Sequence, residues 1–131
     1  MIVLDASAMV EALIGRDADT ELFDAVAGDV SAPHLLDVEV LSVLRGLVLA
    51  RKLDAAAADE ARRDYFALTI VRHDTEPLAE RVWGLRHQFT SYDACYLALS
   101  EALDAPLYTC DGKLDTNGHA AQVRVGLLRE A

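Results

Sequence analysis

Ile2-Val3-Leu4-Asp5-Ala6-Ser7-Ala8 is the stretch whose reading decides the fold. A short apolar run that stops at an acid predicts a buried strand. A helical pattern follows at once from Ala6 to Ile14 and is stopped by Gly15. Strand followed directly by helix is the opening of a βα unit, and the rest of the chain repeats the alternation.

Downstream, Asp17 to Val26 predicts a helix, acidic in its first turn and closed by Gly28. Val30 to Ala32 predicts a strand ended by Pro33. The longest helix is expected from His34 to about Lys52, apolar on nearly every side, so buried or laid against a partner. Ala55 to Phe66 predicts another helix and Leu68 to Val71 a strand. Asp74 or Thr75 then caps a helix through Leu78, Val82 and Leu85. Thr90 or Ser91 opens a helix to Leu103, Ala105-Pro106 breaks it, and Leu107 to Thr109 is a strand leading to Asp111. A short helix and a strand near Val123 to Leu127 follow. Alternating strands and helices imply parallel βαβ units. The expected architecture is therefore α/β: a three-layer α/β/α sandwich with a mostly parallel sheet of about five strands, one domain over residues 1–131.

Composition agrees. Across 131 residues, 53% are hydrophobic and 26% charged, which suits a well-filled interior and excludes disorder. The most apolar stretch, Leu35 to Ala50, is interrupted by Asp37, Glu39 and Arg45 and is too short to span a bilayer. No basic region precedes the first apolar run, so a signal peptide is not expected and the location is read as cytoplasmic. Cys95 and Cys110 form no CxxC pair and are read as small buried hydrophobes. His34, His73, His87 and His119 lack the spacing of a zinc site. The net charge of −10 argues against broad, charge-driven nucleic-acid binding, and it allows acids to be concentrated where a cation sits.

Four acids are out of place. Asp5 and Asp111 follow predicted strands, where open parallel sheets form their binding crevice. Each also reads as a helix cap, and a cap satisfies one donor while leaving the rest of the carboxylate free. Glu39 has Leu35, Leu36, Ser42 and Val43 as helical neighbours and interrupts an apolar face; Arg45 cannot be its same-face partner. Its other reading is an edge position that reaches solvent. Asp93 stands three residues after Thr90, like the return position of a capping box, within the dense apolar Tyr92-Asp93-Ala94-Cys95-Tyr96-Leu97-Ala98-Leu99. Asp115, a turn beyond Asp111, reads first as a solvated acid and second as a supporting residue at the edge of the site. Four gathered carboxylates without an evident Lys or Arg partner repel one another, and a hard divalent cation removes that repulsion. An oxygen-only donor set selects Mg²⁺, or Mn²⁺ in its place, over zinc.

These blocks resemble the PIN-domain nucleases: Ile2 to Ala8, Leu36-Asp37-Val38-Glu39-Val40-Leu41, the stretch around Asp93, and Leu107-Tyr108-Thr109-Cys110-Asp111, in order and over essentially the whole chain. The small size is most similar to their VapC-type toxins. The resemblance implies a metal-dependent endoribonuclease, commonly a homodimer, held inactive by a cognate antitoxin. It carries the family's acids onto Asp5, Glu39, Asp93 and Asp111, with Ser7 and Thr109 at its two hydroxyl positions; beyond Asp111 the pattern loosens. The expected reaction is hydrolysis of an RNA phosphodiester by a water that the metal activates. An RNA-processing housekeeping nuclease is the alternative within the family. From other classes, a phosphatase-like domain wants a second Asp where Ser7 stands, and a receiver wants an adjacent acidic pair. A non-catalytic binding module would use the apolar Leu35 to Leu49 face.

Overall fold

The computed structural model describes residues 1–15, 20–115 and 118–126. In chain order the elements are β1 (Ile2–Leu4), α1 (Ala6–Ile14), α2 (Thr20–Val26), β2 (Val30–Pro33), α3 (Leu35–Leu49), α4 (Ala55–Ala67), β3 (Ile70–His73), α5 (Ala79–Gly84), α6 (Ser91–Leu103), β4 (Leu107–Thr109) and β5 (Val123–Val125). Short 3-10 turns precede α5 at Glu76–Leu78 and follow β4 at Gly112–Leu114.

The five strands form one parallel sheet in the order β3-β2-β1-β4-β5. The chain builds outward from β1 to one side through β2 and β3, then returns to lay β4 and β5 on the other. Right-handed crossovers therefore place α1 to α4 on one face and α5 and α6 on the opposite face. The packing agrees: α1 touches α2, α3 and α4, while α6 lies on β1, β2 and β4 beside α5. The three-layer sandwich with five strands is the architecture expected from the sequence. Its core joins Val3, Leu4 and Leu107 of the central strands to Met9, Leu36 and Val40 on one side and Leu97 and Leu99 on the other.

Local chemistry explains the boundaries. Asp5 caps α1 by accepting the Ala8 amide at 3.0 Å, Asp54 caps α4, and the Thr90 hydroxyl caps α6 by accepting the Asp93 amide. Helix α3 ends at Leu49, short of Lys52, because Arg51 turns left-handed (φ 59°) and the Lys52 amide folds back to the Leu47 carbonyl. Strand β3 runs two residues later than its apolar pattern, since its register with β2 carries it through Arg72 and His73. The helix expected from Asp74 or Thr75 is split: Pro77 sits in the 3-10 turn, Thr75 makes no side-chain cap, and α5 starts only at Ala79. The predicted starts at Asp17 and end at Leu127 lie outside the described residues.

Of the two settings expected for helix α3, burial or contact with a partner, burial covers one stripe only. Only Leu36, Val40 and Leu44 are buried, and Val38 (69% exposed) and Leu49 (64%) face solvent. Among the described residues no helix is long and apolar enough to cross a membrane. Cys95 and Cys110 are both buried and unbridged, as their apolar settings imply.

Candidate active site

Strand order reverses at β1, so the crevice of an open parallel sheet belongs at the carboxyl ends of β1 and β4. Val3 pairs with Leu107 and Leu4 with Tyr108. One step further along that register brings Asp5 beside Thr109, whose hydroxyl donates to Asp5 Oδ2. The Ser7 hydroxyl and the Ala8 amide both donate to Oδ1, at 2.7 and 3.0 Å. Ser7 Oγ in turn accepts the Cys110 amide and Thr109 Oγ1 the Asp111 amide, each at 2.9 Å. Both hydroxyls thus accept a hydrogen bond from the β4 turn and donate one to Asp5, which is fixed on both oxygens. Asp5 and Thr109 are buried; Ser7 and Asp111 are half-buried.

Glu39 and Asp93 reach the same edge from helices on opposite faces of the sheet. Glu39, half-buried on α3, accepts a 2.5 Å hydrogen bond from the buried Tyr96 hydroxyl of α6. Asp93 stands in the first turn of α6. Asp111 caps the turn after β4 by accepting the Lys113 amide at 3.0 Å.

The charges of these acids meet. Burial raises the Asp5 pKa above its ordinary value despite the bonds from Thr109, Ala8 and Ser7, and Asp111 raises it further. Glu39 is raised by burial, opposed by the Tyr96 bond, with Asp5 and Asp93 adding to the rise. Asp93 is raised by burial, then by Asp111 and Asp5, while Thr90 and the Lys113 ammonium pull it back. Lys113 is thus the cation beside a cluster read as lacking one. The neighbouring Cys110 thiol is pushed up to about 11, by burial first and then by Asp5. Asp115 is exposed, and none of the three shifted acids responds to it.

The structure therefore brings Asp5, Glu39, Asp93 and Asp111 within electrostatic reach, adds Ser7 and Thr109 as braces, and leaves Asp115 exposed. Among the described residues, no three His, Cys, Asp or Glu side chains stand close enough to grip an ion as they lie. Tyr96 is the neighbour that sequence reasoning missed. A tyrosine in a dense apolar helix was its signal, because a buried phenol needs an acceptor.

Residues 2–119 match the PIN domain family. Among curated relatives, the chain is 38% identical over 120 residues to the ribonuclease VapC9 of Mycobacterium tuberculosis, covering 92% of this chain and 93% of that one. It is 41% identical over 118 residues to the ribonuclease VapC1 of the same organism, covering 86% of each. The crystal structure of VapC20 from Mycobacterium tuberculosis, described as a toxin that cleaves the sarcin-ricin loop, superposes with a TM-score of 0.66 at 18% identity, over 92% of this chain and 97% of that one. With that coverage and that identity, the chain belongs to the PIN domain family, among its VapC-type members.

Proposed function

We propose that this chain, as a single nuclease domain over residues 1–131, is a divalent-metal-dependent endoribonuclease and the toxin of a toxin–antitoxin pair. The observation that carries the site is the convergence of Asp5, Glu39, Asp93 and Asp111 from four separate elements, with three of them held at raised pKa by burial and by one another. A group of acids under mutual strain at a switch point is a cation site in waiting.

The residues fit such an ion by chemistry. Their donors are all oxygen, which suits Mg²⁺, with Mn²⁺ able to substitute. Asp5, Glu39, Asp93 and Asp111 would hold it, after side-chain closure of the acids that now stand apart. Bound there, a divalent cation supplies positive charge to the phosphate oxygens and makes the attacking water more acidic.

The chain's own groups do the rest. Ser7, Thr109 and the Ala8 amide hold Asp5 in one orientation, so this anchor needs no reorganisation when the substrate arrives. Asp93 in the first turn of α6 and Asp111 in the turn after β4 lie within electrostatic reach of Asp5. Lys113, exposed beside them, is placed to meet a phosphate. In the reaction the water gives up one proton as its oxygen bonds to phosphorus, the bond from phosphorus to the leaving ribose oxygen breaks, and that oxygen takes up a proton, so that one water is consumed overall.

An antitoxin with a basic segment suits the same acids, since a guanidinium matches carboxylates in pairs and the chain's charge of −10 steers a basic peptide toward it. The apolar side chains that α3 leaves in solvent support pairing of two copies, as in a homodimer acting in the cytoplasm. The test is cleavage of a structured RNA in Mg²⁺, in Mn²⁺ and in chelator. Cleavage that needs the ion and disappears in Asp5→Asn and Asp93→Asn is expected; undiminished cleavage in chelator would refute the reading.

A further inference from the structure

Tyr96 is one of the largest fully buried side chains, locked in α6 between the sheet and its neighbours. Its hydroxyl reaches across to α3 and donates to Glu39 Oε1 at 2.5 Å. Among the described residues, Oε2 of Glu39 makes no hydrogen bond. Glutamate has three side-chain torsions, and Glu39 is only half-buried, so hydration draws its carboxylate outward. The phenol opposes that pull from a rigid base.

We propose that Tyr96 is a positioning residue for Glu39, holding its carboxylate at the acidic edge with one oxygen engaged and the other open to a divalent cation. This role rests on the metal-site reading above. A second pair in the same protein separates it from ordinary satisfaction of a buried phenol. Tyr65, equally buried, donates to Asp37 at 2.6 Å, two residues before Glu39 on the same helix. Asp37 already has its cation, because Arg72 Nε lies 2.9 and 3.0 Å from its two oxygens. The Tyr65 bond therefore completes a closed structural network. The Tyr96 bond ends on a carboxylate whose other neighbours are acids, Asp5 and Asp93. Hydrogen bonds to ligating groups fix their orientation, and their loss typically weakens metal affinity by about 10–100-fold.

The experiment compares Tyr96→Phe with Tyr65→Phe, each removing one hydroxyl from a ring that otherwise stays. Mn²⁺ is titrated by calorimetry and by its effect on melting temperature. Tyr96→Phe should weaken Mn²⁺ binding about 10-fold or more, with cleavage restored toward wild type at saturating Mn²⁺. Tyr65→Phe should lower the melting temperature and leave Mn²⁺ affinity unchanged. Equal affinity in Tyr96→Phe and wild type, or equal weakening in both variants, would overturn the role. Wild type that binds no Mn²⁺ would instead overturn the site reading itself, and this role with it. In case Tyr96→Phe does not fold, a measurement on wild type carries the same weight. With tyrosines labelled at the ring carbon bearing the hydroxyl, Mg²⁺ should shift the Tyr96 resonance and not that of Tyr65. An unmoved Tyr96 resonance would count against the proposal.

Discussion

Asp37 and Glu39 stand two residues apart on α3 and meet different environments. Asp37 lies between β3 and α4, where Arg72 Nε donates to both of its oxygens and neutralises its charge, and the Tyr65 hydroxyl donates to Oδ1. Glu39 points to the carboxyl edge of the sheet, where its one hydrogen bond comes from a neutral tyrosine and its charged neighbours are Asp5 and Asp93. A half-turn of helix separates a satisfied acid from a frustrated one. A carboxylate with its own arginine serves stability, whereas acids that share no arginine are left for a ligand to neutralise.

The largest effect expected from breaking this contrast is on catalysis. Glu39→Gln should reduce cleavage at limiting Mg²⁺ by more than the roughly 100-fold that loss of an outer partner causes. Asp37→Asn should leave cleavage per folded molecule unchanged. Initial rates across a Mg²⁺ titration decide it, and comparable losses in the two variants would erase the distinction.

Next in size is the cost of opening the satisfied pair. In the Asp37–Arg72 pair the side chains are 29% and 25% exposed, so Arg72→Ala leaves a largely buried carboxylate without its charge-assisted bonds. A loss of about 1.5–3 kcal/mol is expected, read by urea unfolding, with Mn²⁺ affinity unaltered.

The pH dependence should differ between the two sites and is smaller again. A carboxyl whose folded pKa is raised binds more protons folded than unfolded. Its stability contribution is complete below the ordinary value, 3.8 for Asp5 and 4.5 for Glu39, and is lost as pH rises through the raised one. Asp59 and Glu101, lowered by bonds from Arg62 and Arg81, contribute in the opposite sense and lose stability as pH falls. The difference in stability between metal-free wild type and Glu39→Gln isolates the site, and it should widen in favour of the variant as pH climbs above 4.5. Saturating Mn²⁺ should reverse the slope for wild type, because ligation requires the charged form. A pH-independent difference would show that Glu39 is not strained.

The smallest effect sharpens the same point. Without metal, Asp93→Asn should be more stable than wild type by up to about 0.5 kcal/mol, because a charge repelled by Asp111 and Asp5 is removed. Thermal unfolding in chelator at low salt measures it, and a destabilised variant would show that the repulsion on Asp93 is outweighed by what its charge gains, from Lys113 among others.

Much of this molecule is legible residue by residue. Ile2-Val3-Leu4-Asp5 predicts a buried strand ending in an acid, and both strand and cap are there, because burial and capping are decided within four residues. The interruption of an apolar face marks Glu39 for the same local reason. Asp37 carries no such mark: its arginine is 35 residues away, and no local spacing reveals a partner brought in by the pairing of β2 with β3. The apolar circumference of α3 leaves burial and contact with a partner as alternatives, and only the fold divides its faces between core and surface. Composition registers how apolar a helix is, while the packing of α1 and α4 decides that only the stripe of Leu36, Val40 and Leu44 is covered.

Taken by itself, the sequence determined the α/β alternation, nearly all the elements and the four out-of-place acids, since these depend on periodicity, capping and the cost of an uncompensated charge; Ser7 and Thr109 came only from the family resemblance. Tertiary structure alone decided that strand order reverses at β1, that Tyr96 closes on Glu39 across 57 residues, that Lys113 lies within electrostatic reach of Asp93 and that Asp115 is exposed. The physical reason is range. Periodicity and caps act over a few residues of chain, whereas electrostatics and hydrogen bonding act over ångströms of space, and only the folded sheet sets those distances.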